Sequence, residues 1–334
     1  MDTQKSPSKA SLPKFFKNYI DSLPLKESLP LYRQFRPSTK ENSHKAGFCV
    51  DPLFEEPFTN KQNYIHKYKD RLLYLATDTC IVLCRYCTRK RKTFYRDSFN
   101  NENINANPEI APAKAIKYLK TKPEIAEVIF SGGDPLTLKP ITLYQQISQF
   151  CQIPQVKKIR IHTRMLSLAP DKININWLNI LEKLPREFPL VSFTLVTHIN
   201  HPSEITDACR RVFLAVKQAG WYLKNQSVLL KNVNDNEKTL QNLFCSLVQN
   251  GITPYYLHQL DRVSGTSHFE VKVATGVALL RNLQKQLPLC VIPLYVQDGK
   301  YGKKPIDLTF KPQANLVIQP ERNFREQTSH LSYL

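Results

Sequence analysis

The chain contains no apolar run long enough to cross a bilayer, which would take about 20 residues. Residues 1–9 also lack the apolar centre of a secretory signal. We therefore expect a cytoplasmic protein that has no membrane partner. Because hydrophobic residues make up 42% of the 334 positions, the chain can form the core of one large domain or of two ordinary ones.

Acidic residues are scarce in this chain. There are 28 Asp and Glu against 47 Lys and Arg, which gives a formal net charge of +19. For the surface as a whole we favour solvated lysine and arginine over a nucleic-acid groove, so nucleic acid is not an expected partner. For the densest basic run, residues 89–92, two interpretations stay open. It is either a solvated segment or positive charge beside an anionic small-molecule site.

A fourth cysteine is missing from the cluster formed by Cys80, Cys84 and Cys87. A structural zinc site normally has four ligands, and an electron-transfer cluster usually has four cysteines. Three thiolates on one loop can instead hold an iron–sulfur cluster and leave one iron open, which predicts catalysis. The other cysteines are expected to be small buried residues without disulfide bonds. They are Cys49, Cys151, Cys209, Cys245 and Cys290.

Short β-branched apolar runs alternate with longer amphipathic stretches, which is typical of a parallel α/β sheet. The predicted strands are 72–77, 127–130, 158–162, 191–197, 226–230 and 253–257, and a helix is predicted near residues 15–23. Six strands are too few for a closed eight-stranded barrel and suit an open, partial (β/α)6 barrel. We predict an N-terminal extension over 1–60, the barrel over 61–270 and a C-terminal segment over 271–334.

Polar segments follow five of the six predicted strands, at the carboxyl ends where parallel barrels form their active sites. The fifth strand is the exception, because its polar residues 225–227 stand at its predicted start. The chain has only nine glycines, and two of them, Gly132 and Gly133, are adjacent after the second strand. Next to a cysteine loop, this pair favours contact with a ligand over an ordinary turn.

The series of motifs resembles the radical S-adenosylmethionine (SAM) enzymes of the lysine 2,3-aminomutase family. It is most similar to the short subgroup that makes β-lysine for elongation factor P. The resemblance runs over residues 48–308. Its motifs are the cysteine loop at 77–91, IFSGGDPL at 129–136, RIHTR at 160–164, THINHP at 197–202, NQSVLL at 225–230 and residues 260–269.

The resemblance implies a radical SAM partial barrel with three cofactors. Cys80, Cys84 and Cys87 would ligate a [4Fe–4S] cluster, which a donor such as flavodoxin or ferredoxin would reduce. The remaining iron would bind SAM. Positions that match SAM-binding residues of the family are Ser131, Gly132, Gly133, Asp134, His198 and Gln226.

The third implied cofactor is pyridoxal 5′-phosphate (PLP), carried by Lys303 in the C-terminal segment. Lys300 and Lys304 are neighbouring alternatives for this role. Tyr68 and Arg71 match the family's phosphate site. Lys67 stands where an arginine often does, which keeps the charge but loses the two-pronged geometry of arginine.

For the substrate, the resemblance implies that Arg89 binds a carboxylate and that Asp261 binds the distal ammonium of lysine. Asp298 is a candidate for a second carboxylate at that end. The implied reaction is a radical migration of the amino group of L-lysine from C2 to C3. Two alternatives are a radical SAM enzyme that acts on RNA or on another amino acid, and a zinc-stabilised module that binds nucleic acid.

Overall fold

The structure, a computed structural model, describes residues 12–59, 63–90, 94–95 and 112–309. Arg91 and Lys92 of the basic run lie outside the described residues. The strands are β1 Tyr64–Tyr68, β2 Arg71–Thr77, β3 Thr79–Cys80, β4 Phe94–Tyr95, β5 Glu127–Gly132, β6 Lys158–Thr163, β7 Ser192–Thr197, β8 Tyr222–Val228, β9 Thr253–His258, β10 Leu294–Gly299 and β11 Gly302–Pro305.

The helices are α1 Lys14–Ser22, α2 Leu25–Arg33, α3 Glu56–Thr59, α4 Ala113–Lys120, α5 Pro140–Cys151, α6 Met165–Leu168, α7 Ile175–Glu187, α8 Asp207–Gln218, α9 Glu237–Gln249 and α10 Val273–Gln284. Short 3₁₀ turns lie between several of them. Over the described ranges, no helix is long and apolar enough to span a membrane.

The main sheet is open and barrel-like, with the strand order β1-β2-β5-β6-β7-β8-β9-β10-β11. Strands β2 to β10 of this order run parallel, and the antiparallel strands β1 and β11 form its two edges. The prediction of an α/β partial barrel is confirmed. Beyond the six predicted parallel strands, β10 adds a seventh, formed by the C-terminal segment.

Alternation along the strands explains which side chains reach the centre of the barrel. On β6, Ile159 and Ile161 are fully buried in the hydrophobic core, whereas Arg160 and His162 lie on the opposite face. The same pattern on β5 buries Val128 and Phe130 in that core. The inner face of the barrel therefore carries the polar side chains of β6, beside which a charged ligand can lie.

The fifth parallel strand, β8, starts four residues earlier than predicted and ends two residues earlier. The consecutive buried leucines Leu229 and Leu230 belong to a turn, in which Leu230 N donates a hydrogen bond to Asn234 Oδ1 at 2.8 Å. Apolarity alone did not distinguish this turn from a strand. With the corrected bounds, residues 225–227 lie in the carboxyl half of β8, so the apparent exception among the strands disappears.

The N-terminal extension is part of the core, because Phe16, Ile20 and Leu31 of α1 and α2 are fully buried against it. Strand β10 likewise continues the sheet beyond residue 270. The proposed boundaries at 60 and 270 therefore stay a prediction about sequence segments. In the described part, the main sheet and the main core both extend across these boundaries.

The scattered cysteines divide into two groups. Cys209 is buried and Cys151 and Cys245 are partly buried, as expected, and all five are free thiols. The prediction is wrong for Cys49 and Cys290, which are exposed. Cys49 pairs by its backbone with Val263 in an isolated bridge, and Cys290 lies on a surface 3₁₀ turn, so neither side chain enters the core.

The glycine pair after β5 packs directly against the backbone that leads into the cysteine loop. A Cβ atom on Gly133 would stand 2.1 Å from the carbonyl oxygen of Thr79, and one on Gly132 would stand 2.3 Å from that of Thr77. The amide of Gly133 donates to Thr77 O at 2.6 Å. Close backbone packing is thus sufficient to explain both glycines.

We expect Gly133→Ala to lower the free energy of unfolding by about 1–3 kcal/mol or more, because overpacked backbone has to move. Urea unfolding measures this. Gly299→Ala is the matched control, since a Cβ there meets nothing within 4 Å. Equal unfolding midpoints for the two variants would contradict the proposed packing role.

Candidate active site

The carboxyl ends of the parallel strands bring the predicted polar segments to one end of the barrel. The cysteine loop follows β2, the glycine pair ends β5, and Arg164 and His198 directly follow β6 and β7. Asp134 joins two of these segments. Its carboxylate accepts hydrogen bonds from Thr163 Oγ1 and from the Arg164 amide, both at 2.7 Å.

The cysteine loop is compact and carries N–H donors aimed at sulfur. Cys87 N donates to Cys84 O at 3.1 Å, which closes a tight turn. The amide of Arg89 donates to Cys87 Sγ at 3.3 Å, and Arg164 Nη1 donates to Cys84 Sγ at 3.0 Å. Such donors stabilise thiolates, so the chemistry of this loop fits an iron–sulfur cluster.

Burial affects the protonation of the thiols. It raises the pKa of Cys80 well above its ordinary value and that of Cys87 to about 11. Metal binding must therefore displace protons from the loop. Within the described ranges, no three His, Cys, Asp or Glu side chains are grouped closely enough to hold a single metal ion. A cubane cluster makes a different demand, since each cysteine binds its own iron.

The positions that match SAM-binding residues lie around this loop. His198 stacks on Tyr86, and its Nε2 lies 3.0 Å from the Tyr86 hydroxyl. Burial, with a smaller contribution from the charge of Arg164, lowers the pKa of His198 well below its ordinary value, so the ring is neutral. Gln226 lies on β8 between Asn225 and Ser227, which are buried on the opposite face of the strand.

Asp134 makes its contacts within the protein. Besides its bonds to Thr163 and Arg164, its Oδ1 accepts from Leu136 N at 3.1 Å and caps a 3₁₀ turn. Because both carboxylate oxygens have protein donors, Asp134 shapes the turn. A contact with SAM would therefore come from the neighbouring backbone, and the SAM role of the Ser131–Asp134 turn stays a prediction.

Lys303 enters the barrel from the β10–β11 hairpin, opposite Asp298 in the register. Its Nζ donates to Asp298 Oδ2 at 2.5 Å and lies 3.3 Å from His258 Nδ1 and 5.1 Å from the centroid of the Tyr256 ring. The amide of Lys303 also donates to Tyr68 Oη at 2.9 Å. Burial would raise the pKa of Asp298, but the neighbouring His258 and Lys303 side chains lower it well below the ordinary value.

The hairpin distinguishes Lys303 from its two sequence neighbours. Lys300 stands at the exposed turn over the Tyr301 ring, and Lys304 points to solvent because side chains alternate along β11. Only Lys303 of these three faces the barrel, which supports its choice as the cofactor lysine.

The predicted phosphate site is only partly open. Lys67 Nζ donates to the carbonyl oxygens of Leu53 and Gly299, each at 2.6 Å, and therefore ties β1 to the hairpin. Arg71 lies over the Tyr68 ring and makes a two-pronged pair with Asp70, at 2.9 and 3.1 Å. A phosphate would have to share Arg71 with that exposed carboxylate.

The predicted substrate residues lie near one another. Arg89 pairs with Glu55 at 2.5 Å, and Asp261 is close enough to Arg89, Asp298 and Lys303 for their charges to affect its pKa. Burial, together with the negative charge of Asp298, raises the pKa of Asp261 to about 7. The site thus contains an arginine paired with Glu55 and two carboxyl groups near Lys303.

Glu55, His162 and His258 are site residues without a predicted role. The Nε2 atoms of both histidines are buried and have no hydrogen-bond partner among the described residues. Burial lowers the pKa of each ring, so both are neutral donors or acceptors available to a ligand. The positions of the two histidines near the carboxyl ends of β6 and β9 could have identified them as site residues. No local signal marks Glu55, because its partner lies 34 positions away.

The sequence is similar to curated proteins named L-lysine 2,3-aminomutase. It is 36% identical to that of Escherichia coli (strain K12) over 286 residues, 85% of this chain and 80% of the relative. The match to Haemophilus influenzae is 36% over 269 residues, 80% of this chain and 76% of the relative. The match to Clostridium subterminale is 34% over 279 residues, 83% of this chain and 64% of the relative.

Two other comparisons add little. No protein-family model matches the chain. A solved structure of a radical SAM methyltransferase from Sphaerobacter thermophilus gives a TM-score of 0.42 at 17% identity, over 70% of this chain and 68% of that one. This similarity is too low to support an argument.

The raised pKa of Asp261 predicts how stability depends on pH. The folded ligand-free protein keeps this proton up to about pH 7, whereas the unfolded chain releases it near about pH 4. The stability of the wild type relative to Asp261→Asn should therefore fall as pH rises between these values, by up to about 1.4 kcal/mol per unit. Above about pH 7 the difference should be constant.

Urea unfolding at a series of pH values measures this difference. Asp171→Asn changes the same charge at an exposed position and serves as the control. A pH-independent difference between wild type and Asp261→Asn would show that Asp261 is ionised in the folded protein.

Proposed function

The chain belongs to the lysine 2,3-aminomutase family of isomerases, and from this membership we propose that it converts L-lysine to β-lysine by moving the amino group from C2 to C3. The observation that carries the proposal is the meeting of Lys303, Arg89 and the Asp261–Asp298 pair beside the cysteine loop. This arrangement matches a molecule with an amine, a carboxylate and a distal ammonium. The relatives named above act on lysine, so the alternatives with RNA or another amino acid receive no support.

Members of this family use a [4Fe–4S] cluster, SAM and PLP. When they are bound, the cluster and SAM supply a radical that abstracts hydrogen, and PLP supplies the conjugated system that carries the amino group. We assign the cluster to Cys80, Cys84 and Cys87. We assign SAM to the turn Ser131, Gly132, Gly133 and Asp134, with His198 and Gln226, and PLP to Lys303, with Tyr68 and Arg71.

Lys303 must lose a proton before its amine can act as a nucleophile. Asp298 Oδ2 and His258 Nδ1 both lie next to its Nζ, and the lowered pKa of His258 keeps that ring neutral and able to accept. We propose that Asp298 holds the protonated amine in place and that the neutral His258 ring accepts the proton. Asp298 therefore binds the amine of Lys303, in addition to the substrate role expected from the sequence.

Substrate recognition depends on the charges at both ends of the amino acid, the carboxylate and the distal ammonium. Arg89 can offer N–H groups to a carboxylate while Glu55 fixes its orientation. At the other end, a distal ammonium beside Asp261 would lower the pKa of this carboxyl and pair with the carboxylate it forms. A neutral amino acid would leave Asp261 protonated and would gain no ion pair there. The site therefore favours a basic amino acid.

We place the protein in the cytoplasm, where thiols that bind iron stay reduced. A one-electron donor such as flavodoxin or ferredoxin is the expected protein partner. The basic surface suits an acidic partner, since opposite charges accelerate association. Use of the product for elongation factor P stays a prediction.

The activity test is direct. Anaerobically reconstituted protein with SAM, PLP, dithionite and L-lysine should form β-lysine, detected by mass spectrometry. In Asp261→Asn, kcat/KM for lysine should fall by about 30-fold or more, because one partner of a buried charge pair is lost. Asp171→Asn should leave it unchanged. Formation of 5′-deoxyadenosine without β-lysine would contradict lysine as the substrate.

The cofactor lysine can be tested separately. Borohydride reduction of the PLP-loaded protein should attach the label to the peptide that carries Lys303, and Lys303→Ala should abolish labelling. Lys304→Ala is the matched control and should label normally, because its side chain points to solvent. Labelling that persists in Lys303→Ala at Lys300 or Lys304 would overturn the assignment.

A further inference from the structure

Arg164, which follows β6 directly, has no role in the function proposed above. Its guanidinium is buried and contacts the cysteine loop from the side of the barrel wall. Nη1 donates to Cys84 Sγ at 3.0 Å and to Tyr86 Oη at 2.7 Å. Nη2 donates to Glu204 Oε2 at 2.6 Å, and Cζ lies 4.8 Å from the centroid of the Phe35 ring.

The surroundings hold this guanidinium in one orientation. Glu204 is fully buried, and its Oε1 accepts from Gln34 Nε2 at 3.1 Å and from the Asn200 amide at 2.9 Å. Asn200 Nδ2 in turn donates to Tyr86 Oη at 2.6 Å. Because these partners come from the segment after α2, the cysteine loop and the segment after β7, Arg164 cannot turn away from Cys84 without breaking bonds in several places.

The backbone of Arg164 is fixed as firmly as its side chain. Its amide donates to Asp134 Oδ2, and Asp134 N donates to Thr79 O at 2.8 Å, next to Cys80. Arg164 is therefore linked to the cysteine loop at two places. One link passes through Asp134 to the start of the loop, and the other goes directly to a ligand sulfur.

A charged N–H donor on a thiolate has a predictable effect on a bound cluster. It withdraws negative charge from the sulfur, and this stabilises the reduced state more, because that state carries one more electron. The step concerned is [4Fe–4S]²⁺ plus one electron giving [4Fe–4S]⁺, with the electron supplied by dithionite or a low-potential protein donor. No proton is transferred in this step.

We propose that Arg164 is a positioning residue for the cluster, which orients Cys84 and makes one-electron reduction of the cluster easier through its bond to Cys84 Sγ. The proposal rests on the proposed function, because it requires the cluster. Arginine is needed here because its planar group reaches the sulfur and Glu204 together. A lysine ammonium at this position would pair with Glu204 and leave the sulfur without its donor.

The test compares Arg164→Lys with wild type in an anaerobic redox titration followed by electron paramagnetic resonance. At a given potential, the ratio of reduced to oxidised cluster should be about tenfold lower in the variant, which corresponds to about 59 mV. Arg85→Lys is the matched control. Arg85 is a buried arginine of the same loop whose Nε pairs with Glu41 at 2.8 Å, and its ratio should equal that of wild type.

Iron and sulfide content distinguishes a failure of the proposed function from a failure of the inference about Arg164. Wild type without about four iron and four sulfide per chain contradicts the proposed function, and the inference with it. With full cluster content in all three proteins, an unchanged ratio in Arg164→Lys overturns the inference alone. An equal fall in Arg85→Lys also overturns it, because the effect then comes from general disturbance of the loop.

A second measurement needs no variant and covers the case in which Arg164→Lys does not fold. Wild-type protein is grown with arginine labelled with ¹⁵N in the guanidinium group only, and its reduced cluster is studied by pulsed paramagnetic resonance. A ¹⁵N coupling to the cluster is expected from Nη1 at Cys84. Its absence from a fully loaded cluster overturns the proposal.

Discussion

The site depends on close backbone contact between the ends of β2 and β5. Gly133 and Asp134 donate to the carbonyl oxygens of Thr77 and Thr79, and there is no room for a Cβ between them. From this contact, Asp134 reaches Arg164, and Arg164 returns to Cys84. The contacts form a closed ring, so the loop that carries the three cysteines is held at its start, at Thr79, and at its middle cysteine, Cys84.

Most charged groups buried in the site form a pair with a group of opposite charge. Arg89 pairs with Glu55, Lys303 with Asp298, and Arg164 with Glu204. Unpaired buried charge would be costly, and these pairs also preorient the side chains that meet ligands. Among the described residues, Asp261 makes no ion pair of this kind. It responds by retaining its proton, as its raised pKa indicates, and so it can ionise when a cation arrives.

The rule that active-site residues lie at the carboxyl ends of parallel strands predicted much of the site. It did not predict which residues these side chains contact. The positions of His162 near the end of β6 and of Arg164 directly after it followed from the sequence pattern, whereas their contacts did not. Lys67 illustrates the difference. It was expected near a phosphate, yet its ammonium binds two backbone carbonyls. Likewise, the glycine pair suggested a ligand, and the packing against Thr77 and Thr79 already accounts for both residues.

The sequence by itself determined the alternation of strands and helices, the loop of three cysteines and the family. These properties follow from local spacing, since period-two and helical patterns and short motifs are written within a few residues. Only the tertiary structure decided that Lys303, not Lys300 or Lys304, faces the barrel, that Glu55 holds Arg89 and that Arg164 contacts Cys84. Those contacts join residues between 34 and 80 positions apart, or depend on the hairpin that closes the sheet. Their selection depends on packing and on the pairing of buried charge, which no local pattern encodes.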